Sequence, residues 1–110
     1  MTREKAELLQ GTLDLIILQL LRAGPMNGWD VTLAIQAVSK GMLDVNYGSV
    51  YPALRRLEVQ GLAKAKWGTS DNNRRARYYE LTPKGLKQLV AGRAEWSRFS
   101  AAMGLILADS

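Results

Sequence analysis

The stretch from residue 46 to residue 62 constrains the fold more than any other. Val50, Ala53, Leu54 and Leu57 recur at helical spacing and form one apolar stripe. Advancing about 100° per residue from Val50, Gly48, Pro52, Arg55, Arg56 and Val59 fall on the far side, with Ser49 and Tyr51 flanking. Asn46 or Ser49 fits the position that caps the start, and Gly61 fits the end. Pro52 argues for a late start, because only the first turn lacks intrahelical donors for a proline to remove. The exposed face is small near its beginning, then tyrosine and arginine. A helix that enters a DNA major groove has this character. So does an ordinary surface helix with solvated arginines.

Upstream, Leu9, Leu13, Ile16, Ile17, Leu20 and Leu21 make a wide helical stripe, and Leu15 and Leu18 extend it. Such a helix is covered on more than one side. Ala23-Gly24-Pro25 stops it. Asn27 then caps a second helix, and Asp30 in its first turn suits the positive end of the dipole. Val31, Ile35 and Val38, with Ala34, give its buried stripe, and Ser39-Lys40-Gly41 ends it. Met42-Leu43-Asp44-Val45 turns the chain into the central helix. Two short helices joined by a turn, the second with a polar basic face, predict a helix-turn-helix.

After Gly61 the period changes. Ala63, Ala65 and Trp67 face one way and Lys64 and Lys66 the other, as in a strand. Residues 68–73 carry turn chemistry, and residues 74–81 read as the returning strand. A hairpin directly behind such a helix is a wing. Arg74, Arg75 and Arg77 on its return limb suit phosphate or minor-groove contact; arginines guarding an edge strand against aggregation look the same. Trp67, Tyr78 and Tyr79 are expected in the wing's core. Thr82-Pro83 is a cap followed by proline at the first helical position. From there a final helix runs towards Leu107, with Leu86, Leu89, Val90, Trp96, Phe99, Met103, Ile106 and Leu107 at helical spacing. That is too much apolar surface to leave in water. It either folds back on the first helix or pairs with a second chain, and Gly92 and Gly104 permit close helix approach.

The expected architecture is mostly α with a small β-hairpin. Residues 1–82 form a winged helix-turn-helix that includes the N-terminal helix, and residues 83–110 form a separate C-terminal helix. Charge supports a polyanion partner. Residues 1–54 carry four basic and five acidic side chains, whereas residues 55–98 carry eleven basic and four acidic. The positive charge thus begins at the central helix and continues behind it. Cysteine and histidine are absent, which removes thiol catalysis, disulfides and the usual zinc ligand sets. No phosphate-cradling loop or nucleophile triad appears. An enzyme is not expected, and neither is a cofactor. The first run is too short and too polar for a membrane span, and the chain reads as a cytoplasmic, nucleoid-associated protein.

Several strings resemble the PadR family of bacterial transcriptional regulators. They are Gly11-Thr12-Leu13-Asp14, Gly24-Pro25-Met26-Asn27-Gly28-Trp29, Gly48-Ser49-Val50-Tyr51-Pro52-Ala53-Leu54-Arg55-Arg56-Leu57-Glu58, and Arg74-Arg75-Ala76-Arg77-Tyr78-Tyr79-Glu80-Leu81-Thr82 followed by Gly85. The resemblance is to the short branch with one C-terminal helix. It implies a winged-helix homodimer on double-stranded operator DNA, usually a repressor. It also implies that Ser49, Tyr51, Arg55 and the wing arginines contact DNA, while the last helix dimerises with help from the first. Arg56 and Lys64 complete the expected DNA face. Trp96, Phe99 and Met103 are the expected interface residues, where a small aromatic effector would stack, or where they simply pack. Many members have histidine and tyrosine where this chain has Asn27 and Trp29, so no role of that histidine carries over. A winged helix used only for protein–protein interaction is the alternative, and weak salt dependence of duplex binding would distinguish it.

Overall fold

The computed structural model describes residues 3–108, with side chains from residue 11 onward; the expected Leu9 lies outside the described side chains. In chain order the elements are α1 (Arg3–Leu21), β1 (Met26–Asn27), α2 (Gly28–Val38), α3 (Tyr47–Val59), β2 (Ala63–Thr69), β3 (Arg75–Leu81) and α4 (Pro83–Ala108). The three strands form one antiparallel sheet in the order β1-β3-β2. β1 is a third strand that the hairpin expectation lacked. Its two residues pair with Tyr78 and Tyr79 of β3, and two residues are too few to show a period. Asn27 has a second task there, since its side chain accepts the N–H of Asp30 at 2.8 Å and caps α2.

One core gathers Ile17, Leu18 and Leu21 of α1, Val31 and Ile35 of α2, and Val50, Ala53, Leu54 and Leu57 of α3. Ala63, Tyr79 and Leu89 close it from the wing and α4. The α3 stripe is buried as its spacing predicted. Val38 is not; it is exposed at the last turn of α2, where the chain leaves the core. The central helix also begins earlier than Pro52 argued. Asn46 Oδ1 accepts the Ser49 N–H at 2.9 Å and fixes the start at Tyr47, which leaves Pro52 inside the helix. Only the N–H that would have reached the Gly48 carbonyl is missing. At the other end Gly61 has φ +77, Leu62 N–H reaches Leu57 O at 2.8 Å, and Gly61 N–H reaches Glu58 O at 3.0 Å. This is a Schellman end, and glycine supplies its left-handed residue.

The wing is longer than its composition indicated, because Gly68 and Thr69 remain in β2 and pair with Ala76 and Arg75. Its tip is a tight loop in which Asn73 takes φ 61 and Ser70 N–H and Arg74 O close the hairpin at 2.8 Å. A type I turn followed by a left-handed residue has this form. α4 starts as Thr82-Pro83 predicted, with Thr82 Oγ1 accepting the Gly85 N–H at 3.0 Å. Its first turns dock on the body through buried Gly85 and Leu89, and Gly92 lies against Leu15 of α1. The molecule measures 54 × 28 × 26 Å. At 1.5 Å per residue α4 is about 39 Å long, so it cannot lie across either short axis. Beyond Gly92 its apolar side chains, Trp96, Phe99, Leu105, Ile106 and Leu107, are exposed.

Candidate nucleic-acid interface

The sheet register decides which wing residues face α3. Ala65, Trp67 and Thr69 stand opposite Tyr79, Arg77 and Arg75, and alternation puts all six on one face. Along that face the chain passes from core to solvent. Tyr79 is buried, Arg77 is half-buried, and Arg75 is exposed with its guanidinium carbon 4.8 Å from the centroid of the Trp67 ring. That distance is a cation–π contact. Trp67 itself is 57% exposed. It is therefore not a wing-core residue, because only the base of the wing reaches the core and Trp67 lies nearer the tip.

Between this face, α3 and the start of α2 lies an open groove of about 720 Å³. Trp29, Tyr47, Tyr51, Trp67, Arg74, Arg75 and Arg77 are among its walls. Tyr47 and Tyr51 sit one helical turn apart, with ring centroids at 6.1 Å. A Cβ on Gly28 would come within 2.7 Å of the Tyr47 ring, so glycine lets α2 approach α3 here. Aromatic faces interleaved with guanidinium groups suit sugar, base and phosphate contact. Tyr79 closes the bottom. Its hydroxyl is buried without a hydrogen-bond partner. Burial raises this phenol above its usual 10.0, and the nearby Arg77 charge opposes the rise only in part.

The expected DNA residues separate into four places. Tyr51, Arg74, Arg75 and Arg77 share the groove. Ser49 and Arg55 are exposed on α3 outside it, and Arg55 bonds Glu58 at 2.7 Å. Arg56 and Lys64 lie elsewhere. Arg56 turns to the opposite flank of α3 and pairs with Asp14 of α1 at 2.8 Å, partly buried. Lys64 is on the other face of the sheet, 3.6 Å from Glu80. Sequence reasoning did not place Trp29, Tyr47 or Glu58 at the DNA face. Glu58 was legible as an i,i+3 partner of Arg55, but its bond to Arg77 at 2.6 Å was not.

A second groove of about 510 Å³ runs between α1 and α4, with Leu15, Leu18, Gly92, Trp96 and Phe99 on its walls. The Trp96 and Phe99 rings are 5.9 Å apart and tilted by 43°. Met103, half-buried one turn further, does not line it. Among the described residues no group of three acidic or histidine side chains could hold a metal, and no helix is long and apolar enough to cross a membrane.

Helix, turn, helix and a basic two-stranded wing, in that order on one core, define a winged helix-turn-helix protein. The chain belongs to the PadR-like family of transcriptional regulators, whose family model matches residues 17–91. It is similar to the solved structure of a transcriptional regulator from Clostridium thermocellum, at 27% identity and TM-score 0.82, covering 92% of this chain and 98% of that one. It is also similar to a PadR family regulator from Eggerthella lenta, at 28% identity and TM-score 0.76, covering 97% and 91%. A third similar structure is Bacillus subtilis PadR in complex with operator DNA, at 25% identity and TM-score 0.65, covering 72% of this chain and 45% of that one.

Proposed function

We propose that this transcriptional regulator binds double-stranded operator DNA as a homodimer and represses transcription from it, in the cytoplasm. The observation that carries the reading is the groove itself: exposed Tyr51 and the Arg74 and Arg75 pair meet between α3 and the wing. The similar Bacillus subtilis protein has been solved on operator DNA, and this chain shares the matching part of its fold. α3 enters the major groove with Ser49, Tyr51 and Arg55, and the wing lies along the backbone with Arg74 and Arg75. Two copies imply a pseudo-palindromic site with half-sites one helical turn apart or a multiple. The exposed apolar side chains of the distal α4 support a partner copy there, since a chain of this size cannot cover them alone. The tilted Trp96–Phe99 pair supports the binding of a planar aromatic effector at that interface. Such a ligand releases DNA only by preferring one spacing of the two reading heads.

The test is duplex binding measured against salt. Each base-reading contact contributes about 1–3 kcal/mol, so Tyr51→Ala and Arg55→Ala should weaken operator binding and leave scrambled duplex nearly unaffected. Arg74→Ala should weaken both alike and lower the salt slope by about one unit. Unchanged affinity and slope in all three variants would place the interface elsewhere.

A further inference from the structure

Beside the groove, one acidic side chain bridges α3 and the wing. Glu58 uses its two carboxylate oxygens on two arginines from different elements: Oε1 accepts from Arg55 Nη1 at 2.7 Å and Oε2 from Arg77 Nη2 at 2.6 Å. Among the described residues no other ion pair joins α3 to the wing. The two arginines differ in surroundings. Arg55 is on the same helix and its side chain is 45% exposed, whereas Arg77 crosses from β3 and its Nε is buried without a partner. Glu58 itself is only 23% exposed. A phosphate drawing Arg77 away would leave a largely buried carboxylate behind, and stripping one partner from such a pair is unfavourable. Releasing Arg55 removes a helix-surface bond in contact with water, which contributes little. On the opposite flank Arg56 and Asp14 tie α3 to α1. The recognition helix is thus braced on both sides.

We infer that Glu58 and Arg77 are positioning residues that lock the wing to the recognition helix, that Arg77 makes no phosphate contact, and that the lock gives the interface its sequence selectivity. This rests on the duplex-binding reading above. The lock fixes the angle at which α3 and the wing meet the duplex, so base contacts and backbone contacts form together. Without it the arginines still attract any duplex, but the two elements no longer fit one register.

The experiment selects a tight duplex from a random pool with the unaltered protein. Affinities for it and for a scrambled duplex of equal length are then measured at several salt concentrations. Glu58→Gln and Arg77→Gln should each lower the selected-to-scrambled ratio about tenfold, roughly the size of one base contact. The double variant should fall no further, because both remove the same lock. Arg77→Lys should keep the ratio within about threefold of the unaltered protein, since the lysine still reaches a carboxylate as a point charge. Arg77→Gln should leave the salt slope unchanged, whereas a lost phosphate contact lowers it by about 0.9. Thermal melts accompany each variant; if Arg77→Gln does not fold, Glu58→Gln and Arg77→Lys decide the matter. A slope reduced by about one unit in Arg77→Gln, a roughly hundredfold loss in the double variant, or an unchanged ratio in Glu58→Gln would overturn this inference alone. Absence of salt-dependent duplex binding by the unaltered protein would overturn the duplex reading and this inference with it.

Discussion

Gly85→Ala pits two effects of opposite sign against each other. Inside a helix, alanine is favoured over glycine by about 0.5–1 kcal/mol, and Gly85 lies in the first turn of α4. A Cβ there, however, would fall on the carbonyl oxygen of Leu62, with Leu81 Cδ1 2.8 Å away. The leucine side chain can turn aside. The carbonyl cannot, because it is backbone at the start of the wing and accepts the Thr82 N–H at 3.2 Å. The first turn of α4 must therefore lift off the body. That strains the Thr82 cap on the Gly85 N–H and the Thr82 N–H bond to Leu62. Overpacking costs about 1–3 kcal/mol, and a lost cap about 0.5–2 kcal/mol. The steric side wins, by about 1–4 kcal/mol. Gly104→Ala is the matched comparison, since nothing lies within 4 Å of its Cβ position in the chain. It should gain about 0.5–1 kcal/mol. Melts followed by far-UV circular dichroism at one protein concentration should show Gly85→Ala lower by about 5 °C or more and Gly104→Ala a few degrees higher. A Gly85→Ala protein that melts at or above the unaltered one would refute the close packing of α4 on Leu62.

Tyr79→Phe should be neutral or slightly stabilising at neutral pH, because it removes a buried hydroxyl that has no partner. Its phenol is raised in the folded state, so the stability it gives the neutral form is present below 10.0 and lost as pH rises through the raised value; alkaline denaturation curves should flatten in Tyr79→Phe. Leu57→Ala, at a fully buried position of α3, should cost about 2–5 kcal/mol in chemical denaturation. Ending the chain after Glu95 removes the exposed distal half of α4 and should convert a dimer to a monomer or an aggregate in light scattering; a well-folded full-length monomer at micromolar concentration would contradict the dimer. Trp96→Phe should reduce fluorescence quenching by planar aromatic compounds, and quenching that survives the substitution unchanged would leave Trp96 as packing.

Much of this fold was legible because its strongest signals are periodic or stereochemical. Four apolar residues at helical spacing placed the buried face of α3, and Gly61 ended it because only glycine takes that left-handed backbone without strain. Thr82-Pro83 marked the start of α4 for a similarly local reason. β1 was illegible since its pairing belongs to a strand some fifty residues away. Pro52 misled for another reason: a proline weakens a helix start that a good cap and a buried stripe can still hold. Asn46 and Val50 did so here.

The interface was less legible than the fold, and charge explains why. Arginines could be counted and placed on faces, but a face does not say which charges are already answered. Arg56 and Arg55 are adjacent in sequence and look alike, yet one crosses to Asp14, forty-two residues away, and the other bonds its own helix. Arg77 was grouped with Arg74 and Arg75 because the three share a strand pattern. Register then separates them, since only Arg77 lies deep enough on the inner face to reach Glu58. Of the five arginines in α3 and the wing, three are thus tied to carboxylates, and the positive potential of the groove rests on Arg74 and Arg75 at the tip. On the duplex-binding reading proposed above, such a regulator would gather any duplex through its outermost charges. It would discriminate through a helix whose angle is set by charges that no sequence pattern distinguishes from the rest.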